Sequence, residues 1–178
     1  MHPRRQISAM ATIAIIAIFN GSMAMADHHA KSGTFDYLQA LTTDYTTVKR
    51  GEETITAGSI KGSATIIKSS GGPFKEGSSN TVVTAVHIKK SIEGIDVVGD
   101  GIQTDSDGDQ VYTHGERKAG DIAVGGGGKG TIDLIGGTGK YDGVTGACEY
   151  AVEYLPNNRI VILGSCHWQR NYPQRRIS

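Results

Sequence analysis

"GGTGKYDGVTG", Gly136 to Gly146, carries five glycines and one lysine in eleven residues, and its reading separates two kinds of fold. A phosphate-binding loop needs G-x-x-x-x-G-K-[ST] between a strand and a helix, so that backbone N–H groups and the helix terminus converge on the anion. Here Gly139-Lys140 is followed by Tyr141, the residue five before Gly139 is Leu134, and strand-like sequence resumes afterwards. A dinucleotide fingerprint fails for want of the same helix. The stretch reads instead as a glycine corner between strands. Tyr141 and Val144 turn back to the interior, Gly143 and Gly146 permit close strand approach or a bulge, and Lys140 is expected as a solvated tip residue.

On both sides of this corner apolar residues alternate with polar ones, rich in threonine, valine and isoleucine, and glycine breaks the runs. That is the pattern of half-buried strands. Strands are expected near 41–49, 59–68, 81–90, 92–103, 110–116, 130–135, 147–155 and 159–168. Turn residues join them at Ser69 to Pro73, Asp107-Gly108, Gly125 to Gly128 and Pro156 to Asn158. About eight short strands at such spacing predict an all-β domain, a closed antiparallel barrel or a sandwich. No convincing helix follows the first residues.

The last hairpin has a defined register. Cys148 and Cys166 sum to 314, as do Leu155 and Arg159 around a three-residue loop. The cysteines therefore face each other, with Val152 opposite Ile162, Tyr154 opposite Ile160 and Tyr150 opposite Gly164 on the same face. In an exported chain this pair is expected as a disulfide, with a reduced or redox-active pair as the alternative.

The quoted stretch, with the strand before it, resembles the G-G-T-G-[KR]-[FY]-x-x-[AV]-x-G signature of the allene oxide cyclase and dirigent superfamily. "TDSDGDQVY", Thr104 to Tyr112, is similar to a "DADGD" hairpin of small exported bacterial relatives. The resemblance covers roughly residues 102–168. It implies an eight-stranded antiparallel β-barrel, calycin-like, often trimeric, with an apolar cavity. It also implies a cofactor-free isomerase, cyclase or guide acting on fatty-acid epoxides or phenolics. The catalytic acids of that superfamily match no position here.

Composition sets further bounds. Arg4 and Arg5, the apolar run 9–19 and Ala24-Met25-Ala26 read as a signal peptide, residues 1–26, cleaved after Ala26, with periplasmic or secreted destination. The run is short for a membrane span, and Arg4-Arg5 also allows a twin-arginine signal. Without Arg4 and Arg5, 16 of the 18 basic residues remain against 18 acidic ones, a net charge of −2. No nucleic-acid footprint is present. Residues 27–40 are expected as a flexible arm, 41–170 as the barrel and 171–178 as a tail.

Several side chains are candidates for chemistry. Asp105, Asp107, Asp109 and Glu116 fall at positions 1, 3, 5 and 12 of a calcium loop, yet the glycine stands at the fourth position, Gly108, and a hairpin turn explains the same residues. His28 and His29, behind a new amino terminus at Asp27, form a candidate square-planar Cu(II) or Ni(II) site, or a silent end. Glu149 and His167 share the face opposite the cysteines, and with Tyr112 and His114 they are candidate acid and base groups if that face lines a barrel mouth, or surface groups if it faces solvent. Tyr150, Tyr154 and Trp168 are candidate ligand contacts. Ser165 lacks a nucleophile elbow.

The leading expectation is an exported barrel that binds an apolar or phenolic small molecule, with no cofactor. The alternatives are a packed structural barrel that assembles as a trimer and a metal-handling protein.

Overall fold

The computed structural model describes residues 30–117 and 128–171. Eight strands, β1 (Ser32–Arg50), β2 (Glu53–Ser69), β3 (Ser79–Ser91), β4 (Gly94–Thr104), β5 (Gln110–Arg117), β6 (Gly128–Gly137), β7 (Val144–Leu155) and β8 (Arg159–Arg170), follow one another around a closed barrel. Every pairing is antiparallel, and β1 closes the ring against β8. Closure leaves no sheet edge with unpaired N–H and C=O groups. A single 3-10 turn, Gly139–Tyr141, stands between β6 and β7, so the quoted stretch is a glycine corner. Among the described residues no helix is long and apolar enough to cross a membrane.

The β7–β8 register is the one the sequence sets: Cys148 pairs with Cys166, Val152 with Ile162, Tyr154 with Ile160 and Leu155 with Arg159. Asn157 and Asn158, at φ 62° and 56°, make the left-handed turn, a conformation asparagine tolerates. The two cysteines form a disulfide buried in the core.

Three expectations are corrected. Residues 32–40 are not an arm: they are the first half of β1, paired with β8 and β2, with Phe35, Tyr37 and Gln39 turned inward. The alternation was present in the sequence, but Gln39 interrupts its apolar run. Ile92 does not begin a strand; it is 93% exposed at the two-residue tip between Ser91 and Gly94. Lys140 is no free tip, as its ion pairs below show. The leader 1–26, His28 and His29, and residues 172–178 lie outside the described residues.

One end of the barrel is filled by aromatic rings. The segment between β2 and β3 inserts Phe74, which stacks on Phe35 with ring centroids 3.9 Å apart and lies 5.3 Å from Tyr141 and 6.0 Å from Trp168. Each such ring buries some 150–250 Å². The approach depends on Gly72, at φ +76°, where any Cβ would strike the Trp168 ring. Val111, Leu134 and Val144 complete this end.

Candidate functional site

Beyond the aromatic end the interior changes composition. Leu41, Ile60, Val82, Val86, Ile132 and Ile162 wall a cavity of 90 Å³, into which Gln39, Thr84, Gln103, Thr113 and Tyr150 also face. β-Branched and short side chains stand here where rings stand at the other end, and they leave the gap. Gly99 and Gly115 add no side chain to its lining. Gly164 has a related use: a Cβ there would come within 2.5 Å of the Tyr37 hydroxyl, so the ring lies flat on bare backbone.

Several polar groups in this region are buried. Gln39 is 4% exposed and Thr113 8% exposed. Tyr37 Oη is buried with no hydrogen-bond partner among the described residues. Burial, and then the Tyr150 phenol, pushes the Tyr37 hydroxyl well above the usual tyrosine range. The Tyr37 phenol therefore stays neutral at physiological pH. Toward the far end, Arg117 is buried and its Nη1 donates to Tyr154 Oη at 3.5 Å. Tyr45 is pushed up to about 12 by burial and by Tyr154 beside it.

Of the candidate ligand contacts, Tyr150 lines the cavity, whereas Trp168 belongs to the aromatic end and Tyr154 is half-exposed at the opposite one. The candidate acid and base groups are not brought together inside. Glu149 and His167 are exposed on the outer face of β7 and β8, the solvent alternative. Tyr112 and His114 point outward from β5. His114 Nδ1 lies 2.8 Å from Asp100 Oδ1 and its Nε2 3.5 Å from Glu116 Oε1. Those hydrogen bonds, Asp100 first, raise its pKa.

The acidic hairpin and the glycine corner clasp each other. Lys140 Nζ sits 2.6 Å from Asp105 Oδ2 and 3.0 Å from Asp107 Oδ2, and Asp109 Oδ2 accepts the Lys140 backbone N–H at 3.0 Å. Asp105 Oδ1 accepts from the N–H groups of Asp107 and Asp109. Burial alone would raise the Asp105 pKa, but Lys140 and these amides outweigh it and hold the carboxyl low. The lysine thus occupies the space between the carboxylates where a cation would lie, and Glu116 is turned to His114. Among the described residues no group of three or more acidic, histidine or cysteine side chains is arranged to hold a metal ion. The Arg170 guanidinium donates to the Lys140 carbonyl and ties β8 to the same corner.

Sequence reasoning missed Gln39, Thr84, Gln103 and Thr113. The signal was there, since Gln39 lies two residues from both Tyr37 and Leu41 on an alternating strand, but polar residues are usually assigned to the wet face. A scan against protein-family models, a search of curated proteins and a search of solved structures each find no match to this chain.

Proposed function

We propose that this barrel binds a small, largely apolar molecule in its interior. The observation that carries the reading is the cavity itself: aliphatic walls with a few converging polar groups, the usual make-up of a small-molecule site. An eight-stranded barrel is wide enough either to fill with side chains or to hold one small ligand. Here one end follows the first course and the middle the second. Among the described residues the cavity wall carries no carboxylate, imidazole, thiol or amine, so the reading is binding without acid–base turnover. The buried disulfide is consistent with export to an oxidising compartment.

Size limits the occupant. A cavity that encloses a benzene ring measures about 150 Å³, and this one measures 90 Å³. A phenolic or fatty-acyl ligand of the kind implied by the superfamily resemblance requires the walls to move apart. Native mass spectrometry of the protein from its own host, followed by denaturation, tests the reading. A stoichiometric small molecule released on unfolding supports it; an empty barrel that also takes up no apolar probe overturns it.

A second reading, a structural barrel that assembles as a trimer, draws on the outward row in which Leu38 pairs with Leu163 and Leu163 with Ala151. Leu163 is 53% exposed. Light scattering on the wild type and Leu163→Lys decides it: a trimer that the substitution dissociates supports assembly, and a monomeric wild type excludes it.

A further inference from the structure

Gln39 is the side chain that an apolar-ligand site does not explain. It is carried on the inward face of β1, is 4% exposed and faces the cavity. Thr113, 8% exposed on β5, faces the same cavity. A buried carboxamide left without a partner is costly, and replacing it by an apolar group of similar shape is close to neutral or favourable. A barrel that only packed its core, or only held hydrocarbon, has no use for it. Water or a ligand that enters the cavity meets both groups, and only a ligand with a hydrogen-bonding group of its own displaces that water without leaving them bare. None of the described side chains lining it is a carboxylate, amine, guanidinium or imidazole, so a charged group would enter without a counter-ion among them, which is strongly disfavoured.

Resting on the binding reading above, we infer that the cavity recognises one neutral hydrogen-bonding group, the carbonyl or hydroxyl of a compact and otherwise apolar molecule, through the Gln39 carboxamide and the Thr113 hydroxyl. The volume of 90 Å³, against about 150 Å³ around a benzene ring, restricts that molecule to fewer heavy atoms than a six-membered ring. Small ketones, aldehydes and alcohols meet both conditions.

Three probes of the same size and planar shape separate the outcomes: isobutene, acetone and acetate, followed by NMR at the methyl groups of Ile60, Val86, Ile132 and Ile162 in the full-length protein. The inference expects acetone to shift these signals and acetate not to. It further expects Gln39→Leu to lower the ratio of acetone to isobutene affinity at least tenfold, with Thr113→Val lowering it in the same direction. Using the ratio cancels the different hydration of the probes. If both variants keep the wild-type ratio, or acetate binds as well as acetone, the inference is overturned while interior binding stands. If none of the probes reaches the cavity methyls, the inference and the binding reading fall together.

Discussion

The two halves of the barrel interior are built from the same strands by opposite means. At one end Phe35, Phe74, Tyr141 and Trp168 meet ring to ring and leave no room. In the middle the same β1 turns Gln39 and Leu41 inward, β3 supplies Val82 and Val86, β5 supplies Thr113, and a cavity remains. Large rings at the first end are accommodated by glycines, with Gly72 beneath Trp168. Among the described residues the middle has no large rings stacked on one another. The comparison teaches that closure of the sheet does not decide whether a barrel is solid; the side chains two residues apart on one strand do.

The contrast is broken most directly at Phe74. Phe74→Ala removes the ring that touches all three others, and large-to-small changes of this kind cost about 3–5 kcal/mol. Denaturant unfolding is expected to show that loss; a cost under about 1 kcal/mol would mean this end is no better packed than the middle. The disulfide stands at the border, since Cys166 pairs with Phe35 and Cys148 with Ile132. Its loop spans 18 residues, for which chain entropy gives about 3 kcal/mol, so the Cys148→Ala, Cys166→Ala double variant is expected to lose about that much against the oxidised wild type.

Alkaline titration compares the ends without mutation. Tyr141 at the packed end and Tyr45 near the other are both pushed up to about 12, by burial first, from an ordinary 10.0. Because the folded values are raised, the stability they contribute is full below pH 10 and is lost as pH rises through 12. Tyrosinate absorbance should show these groups ionising only with unfolding. A smaller effect of opposite sign is expected at Gln39→Leu, which leaves stability unchanged or raises it by about 1 kcal/mol; a large loss would mean that Gln39 already has a partner and that the middle is as satisfied as the rings are.

The smallest effect lies on the outer surface and calibrates the rest. His114 is hydrogen-bonded to the Asp100 and Glu116 carboxylates, which accept, and its folded pKa is raised above 6.5. Its contribution is present below that value and disappears as pH rises through the folded one. His114→Gln should flatten that part of the stability profile and leave probe binding in the cavity untouched.

Much of this architecture was legible in the chain. The register of the last hairpin followed from two cysteines and a three-residue asparagine turn, because antiparallel pairing is arithmetic once the loop is known. The glycine corner at 136–146 followed from the absence of a helix after it. Less legible was the first half of β1, where Gln39 interrupts an apolar run that begins at Phe35. Lys140 was misplaced because its partners, Asp105 and Asp107, lie on another hairpin more than thirty residues away.

By itself the sequence determined an all-β chain, eight strands with alternating faces, their turns and the facing cysteines. These are local properties, set by backbone preference and a period of two. Only the tertiary structure decided that Phe74 reaches Phe35, that Lys140 sits between two aspartates, and that Gln39 faces a cavity rather than water. Each depends on groups far apart in the chain being brought together by ring closure, and no local pattern records which distant side chain will stand opposite.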